Sequence, residues 1–338
     1  MCLRTMYRKR GQYGREWAAY PSAMFFSRRI RSALCMKTYF DIDMEKCHAR
    51  ICLNIALEFN LNMPALQRYV DDPDTVLAEL SEFYMGASKD AVKMLVNSVL
   101  NRGTVGGWVC NQELWDLQES RNMLPKEAKK HIKYGGVVDK TVLDWLTDFK
   151  VGKRIMDKVK AHGNHPIITQ FDENIRRLHQ AMKDKYPDVF QAAIDLIRTD
   201  SELQAEYPDD ESMQRKAFSD CLFEVERRLL HAIIDSLQTK GYRVDAKIHD
   251  GCHVRKHGED PIPDSVVRQV ETDVKNATGF DIRLKVKPFK DYGTPLIRED
   301  IDAVCDAIEP SEITGQVLKP RSADLDGTDE RPAKKRRL

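Results

Sequence analysis

Apolar and polar positions alternate along this chain with two different periods. Residues 37–43 (KTYFDID) combine aromatic and β-branched residues and predict a short strand. From Glu45 to about Phe59 the period changes, because Ile51, Leu53, Ile55, Ala56 and Phe59 fall largely on helical spacing. A second helix is expected over Asp74–Tyr84. A third, from Lys89 to about Asn101, has Ser88 as its cap and Gly103, Gly106 and Gly107 as the turn that ends it. Residues 110–240 read as mostly helical, punctuated by Pro166, Pro187 and Pro208. The longest helix is expected over Glu211–Thr239, with Phe218, Leu222, Val225, Leu229, Ile233 and Leu237 on one face and Gly241 as its stop. Two strands follow, Tyr242–Ile248 and Cys252–Arg255, around a turn at His249, Asp250 and Gly251. Asp264 and Ser265 offer a cap for a helix reaching about Ala277, and residues 281–288 (DIRLKVKP) alternate as an exposed strand does. Residues 309–338 lack apolar periodicity and are expected to be a disordered tail. The implied fold class is α+β: a small antiparallel sheet with a helical region, of which 110–210 is an insertion.

With 338 residues, 42% of them hydrophobic, the chain is long enough for a substantial core. No apolar run reaches about 18 residues, so no membrane partner is expected. Eight cysteines without a CxxC pair suit reduced thiols. Cys47, His48 and Cys52 lack the second ligand pair that a zinc site would need. The net charge of +1 is unevenly distributed: residues 1–40 hold nine Lys/Arg against Glu16 alone, a charge of +8, which leaves −7 for the rest. Residues 1–13 read as a basic arm. The basic block suits a polyanion, a solvated arm or a targeting peptide. Lys334, Lys335, Arg336 and Arg337 form a compact basic cluster, which reads as a nuclear localisation signal, a nucleic-acid contact or a merely soluble tail end; a nucleus is favoured, in a eukaryotic host or its virus.

Two acids and one helix carry candidate chemistry. Asp43 lies where a strand enters a helix, and Asp250 lies in a turn between strands. Alone, each such Asp is more often a cap or turn former. Together they suit a two-Mg²⁺ site, since oxygen ligands from separate chain segments hold the ions of phosphoryl or nucleotidyl transfer. Asp41, two residues from Asp43, shares its strand face and is a rival ligand. Lys89, Lys93, Asn97 and Asn101 are spaced by four and line one helix face, as a triphosphate-binding surface or an ordinary solvated face would.

The order Gly14-Arg15, Pro21-Ser22, Arg29-Ile30-Arg31 and Asp43 resembles the upstream and first catalytic motifs of family A DNA polymerases. Asp43–Ile51 (DMEKCHARI) follows the pattern D-x-x-x-x-E-x-R-Ile/Val, with Arg50 on the family's arginine and His48 in place of its glutamate. That histidine form is similar to polymerase-like proteins of phages and large viruses. Lys89, Lys93, Asn97 and Asn101 match the spacing of the second motif, and His249-Asp250 the first two residues of the third, H-D-E. The resemblance spans about residues 14–290. The departures are the second motif's aromatic and tyrosine, replaced by Asn97 and Asn101, its glycine one residue late at Gly103, and Gly251 for the third-motif glutamate.

The resemblance implies a palm and fingers core over 14–308, with neither an exonuclease domain before it nor much chain for a thumb. It implies DNA-directed DNA polymerase activity with two Mg²⁺ held by Asp43 and Asp250. Lys93, aided by Lys89, would bind the triphosphate and protonate pyrophosphate. His48 would face the sugar, with Asn97 and Asn101 beside the nucleotide. Arg15, Arg29 and Arg31 would meet primer or template phosphates. Expected partners are a primer-template, nucleoside triphosphates and replication proteins. The alternatives are an RNA polymerase or primase-like enzyme, and a degenerate polymerase-fold protein that only binds nucleic acid.

Overall fold

The centre of the sheet is β3 (Tyr39–Met44), where the expected strand lies with its start shifted by two residues. Its pleat sorts its side chains: Ile42 and Met44 are buried, whereas Asp41 and Asp43 point to the other, half-open face. The computed structural model describes residues 7–9, 13–18, 28–109, 150–256, 258, 261–289 and 291. All of them belong to the first of two units, Met1–Tyr292. Residues 110–149 and the whole tail with Lys334, Lys335, Arg336 and Arg337 lie outside the described residues.

The fold is α+β, as expected. Strands β4 (Val244–Ile248), β5 (Gly251–Arg255) and β6 (Leu284–Lys287) join β3 in the order β4-β5-β3-β6, antiparallel throughout. Register places Ile42 opposite Cys252, Asp41 opposite His253 and Asp43 opposite Gly251. β6 is an edge strand anchored at one end rather than an exposed one: Leu284 is buried and its N–H donates to Glu271 Oε1 at 2.8 Å. A separate ribbon pairs β1 (Tyr7–Lys9) with β2 (Glu16–Ala18), so part of the expected basic arm is a strand. The Lys247 N–H donates to Tyr7 Oη at 2.9 Å and ties the ribbon to β4.

Helices α1 (Arg28–Cys35), α2 (Cys47–Glu58), α3 (Pro64–Asp71), α4 (Pro73–Phe83) and α5 (Lys89–Leu100) precede the undescribed stretch. After it come α6 (Lys150–His162), α7 (Pro166–Lys185), α8 (Pro187–Thr199), α9 (Ser201–Glu206), α10 (Asp210–Thr239) and α11 (Asp264–Thr278). Their starts follow local chemistry. Ser88 accepts from the Ala91 N–H, Asp72 accepts from Thr75, and Asp209 with Ser212 forms a reciprocal capping box, each cap worth about 1 kcal/mol. Pro166 and Pro187 open α7 and α8, where a missing N–H costs nothing. Two expectations are corrected. Pro263, not Asp264, holds the cap position of α11. Gly106 and Gly107 lie within a short helical stretch, 105–109, rather than a glycine turn. It forms because Thr104 Oγ1 accepts from the Gly107 N–H at 3.0 Å and Trp108 Nε1 reaches Ala91 O at 2.8 Å.

Helix α10 is the spine and packs against α11, α8 and α2. Phe171, Phe190, Phe218, Leu95 and Leu222 are among the side chains buried in one continuous core. Helix α5 lies on α7, α4 and α2, which leaves its Lys93 and Asn97 exposed.

Candidate functional site

A two-residue turn, His249-Asp250, joins β4 to β5, and His249 takes the left-handed backbone conformation (φ 53°). The turn folds over the end of β3, where the Met44 N–H donates to the Asp250 carbonyl at 3.3 Å. This closure brings the Asp250 carboxyl to the same cleft wall as that of Asp43, near enough for the two charges to oppose each other. Burial first, then the charges of Asp43 and Glu226, pushes Asp250 up to about 7. Two carboxylates this close favour sharing a proton or binding a cation.

Gly251 is fixed by the same approach. A Cβ there would lie 2.3 Å from the Ile42 carbonyl oxygen and 3.2 Å from Asp43 Cα. The third-motif glutamate cannot be placed at this position without moving β3 from β5. The glycine at this position is a packing requirement of the turn.

These acids line a cleft of about 740 Å³. It also gathers Lys93 and Asn97 from α5, Asn101 from its C-cap, His48 from α2, Arg31 from α1, and Arg15. Asp41 lines it too, with Oδ1 3.8 Å from His253 Nε2. Lys89 does not belong to the lining; its Nζ pairs with Asp74 at 2.7 Å on the open surface. Arg29 lies on α1, and its side chain is outside the described residues.

No family model matches this sequence, and no curated protein is significantly similar to it.

The donor set suits a hard cation. Two carboxylates offer oxygen ligands, although the Lys287 ammonium contacts Asp43 Oδ2 and a metal on that oxygen would have to take its place. Among the described residues, no group of three or more His, Cys, Asp or Glu is arranged to hold a metal, so the protein ligands would be this pair. Cys47, His48 and Cys52 form no such group either; burial pushes the Cys52 thiol up to about 12 and raises that of Cys47 as well.

Glu226, on α10, was not among the expected site residues. It is 2% exposed, yet its carboxylate accepts from Arg15 Nε at 2.9 Å and Nη2 at 2.8 Å, and lies 3.0 Å from His48 Nε2. Burial pulls its pKa upward, but the His48 bond and the Arg15 charge outweigh burial and hold it below the ordinary range. Asn101 Nδ2 meets His48 Nδ1 at 3.0 Å, and Ser219 Oγ donates to Asn101 Oδ1 at 3.1 Å. Arg15 also stacks on Phe223 at 4.3 Å and reaches His249 Nδ1 at 3.4 Å. A signal for Glu226 existed in the sequence. It sits four residues after Leu222 and three before Leu229, an acid among the apolar positions of the longest helix.

Proposed function

We propose that this chain carries out template-directed nucleotidyl transfer, as a DNA-directed DNA polymerase whose small sheet is a polymerase-type palm and whose α5 belongs to the fingers. The observation that carries this reading is the meeting of Asp43 and Asp250 on one wall of a cleft that also holds Lys93. Carboxylates are normally kept apart, so a cleft acid such as Asp250, raised by burial and by a neighbouring carboxylate, is the arrangement expected of a functional site.

Asp43 and Asp250 would hold Mg²⁺. When bound, Mg²⁺ supplies Lewis acidity to the primer 3′-hydroxyl and charge neutralisation to the departing pyrophosphate. Lys93 lies on the cleft side of α5, where its ammonium can meet the triphosphate and donate a proton to pyrophosphate. Lys89 has at most a remote electrostatic part, given its pairing with Asp74. His48, Asn97 and Asn101 would border the nucleotide, and Arg31 would face strand phosphates. Arg15 is committed to Glu226 through Nε and Nη2 and reaches His249 through Nη1, so its part at the strand would be electrostatic. Nuclear localisation through the C-terminal basic cluster, a viral or eukaryotic setting and replication proteins as partners belong to the same proposal.

The test is primer extension by the purified chain with Mg²⁺ and deoxynucleotides. Incorporation by wild type that Asp250→Asn abolishes is expected; equal incorporation by both would overturn the metal assignment. Incorporation of ribonucleotides instead would favour an RNA polymerase or primase. One observation favours a second reading, a nucleic-acid-binding protein without catalysis: the Lys287 ammonium occupies the carboxylate oxygen that a metal needs. Salt-dependent DNA binding with no incorporation is the outcome that distinguishes it.

A further inference from the structure

The hydrogen bonds around His48 fix where its proton lies. The Asn97 main-chain carbonyl can only accept, and the side-chain atom of Asn101 2.9 Å from it must therefore be the amide nitrogen. The Ser219 hydroxyl on the opposite side of that amide, 3.1 Å from Asn101 Oδ1, agrees with the same orientation. The second hydrogen of this nitrogen points at His48 Nδ1, 3.0 Å away, so Nδ1 accepts. The ring proton is then on Nε2, which donates to Glu226 Oε2 at 3.0 Å. A guanidinium can only donate, so both Arg15 contacts at 2.8 and 2.9 Å require Glu226 to be an acceptor as well.

We infer that Glu226 is a positioning residue of the cleft, holding the His48 proton on Nε2 and the Arg15 guanidinium over the Phe223 ring. It spans three elements that must keep register: α2 through His48, the C-terminal end of α5 through its cap residue Asn101, and the β4–β5 turn through Arg15 and His249. Both nitrogens of His48 are occupied by protein, so the ring meets the cleft with a fixed pattern and no free N–H. Its consequence for a bound nucleotide rests on the nucleotidyl-transfer reading; the positioning itself does not.

A glutamine at this position has one acceptor oxygen for donors arriving from two sides, and its amide hydrogens would oppose one of them. His48 cannot relieve the clash by moving its proton, because Nδ1 would then face the Asn101 amide hydrogens. The test is long-range ¹H–¹⁵N NMR of the full chain with labelled histidine, His48 being assigned by its loss in His48→Gln. In wild type a single tautomer with the proton on Nε2 is expected, shielded from solvent exchange. In Glu226→Gln that signal is expected to be lost, while the resonances of His179, stacked on Phe190 within the core, stay in place and show that the fold is intact. Asn101→Asp is the second variant: with carboxylates at both nitrogens the ring is expected to become doubly protonated. A wild-type proton on Nδ1, an unchanged signal in Glu226→Gln, or a singly protonated ring in Asn101→Asp would each overturn the inference. No nucleotide is present in the experiment. An ordered His48 in a protein that extends no primer sinks the polymerase reading alone; an active protein with a disordered His48 sinks this one alone.

Discussion

The helical layer and the cleft handle charge in opposite ways. Along α7 and α8 the polar side chains pair on the outside one turn apart, as in Arg176 with Asp172 at 2.8 Å, Gln180 with Asp184 and Gln191 with Asp195 at 2.7 Å. Inside that layer lie Phe171, Ile175, Leu178, Phe190 and Phe218, and its buried histidine, His179, is pushed down to about 4 by burial and by nearby Arg102. At the cleft the same chain places Asp43, Asp250 and Glu226 within mutual electrostatic reach, and pushes Asp250 up to about 7. The helices show that this sequence can keep like charges apart. Within the cleft it is the Asp250 charge, set against Asp43 and Glu226, that opposes folding, as groups at functional sites often do.

The largest effect that would sharpen this contrast comes from Asp250→Asn. Incorporation is expected to fall by about 10³-fold or more, since a metal ligand contributes several kcal/mol and each 1.4 kcal/mol is tenfold. The urea midpoint at pH 8 is expected to rise, because the variant removes a charge that Asp43 and Glu226 oppose. A variant that is both active and less stable would break the comparison.

In the helical layer the sign reverses. Phe218→Ala is expected to cost about 3–5 kcal/mol in denaturant unfolding, the range for a buried aromatic truncated in a core. A loss below about 1 kcal/mol would mean the layer is not close-packed around it.

Acid is a gentler probe of the same layer. The folded-state pKa of His179 is lowered, so the unfolded chain binds the extra proton between about pH 6.5 and 4. Stability is therefore full above pH 6.5 and expected to fall, by roughly 1–3 kcal/mol, as pH drops through that window. His179→Gln is expected to flatten the slope of unfolding free energy against pH there; an unchanged slope would place its source elsewhere.

The smallest effects separate two lysines of one helix. Lys93→Ala is expected to weaken triphosphate binding about tenfold, the size of one lost ion contact at roughly 1.4 kcal/mol. Lys89→Ala is expected to leave binding unchanged and to shift stability by no more than about 1 kcal/mol, as exposed pairs do. Equal losses in a nucleotide titration would contradict the division.

The long elements were legible because their signals are local. Ser88 before α5, the proline starts of α7 and α8 and the apolar stripe of α10 each act within a few residues. Helix α3 was missed because Pro64 and its short span give little periodicity to read. The meeting of Asp43 and Asp250 was anticipated from order along the chain, but the reason for Gly251 was not. It depends on the carbonyl of Ile42, a partner on another strand. Glu226 was overlooked for the same reason: only tertiary structure brings Arg15 and His48 to it. Lys89 and Lys93 share a helix face by spacing, yet Asp74 draws one of them away from the cleft.

The most direct test of the central claim is metal binding by the acid pair itself, measured by water-proton relaxation with Mn²⁺ as the probe. Wild type, Asp43→Asn and Asp250→Asn would be titrated in the presence of a deoxynucleoside triphosphate. The expected result is protein-dependent relaxation enhancement in wild type, displaced by Mg²⁺ and lost in both variants. Equal enhancement in all three proteins would contradict the claim that Asp43 and Asp250 hold the metal.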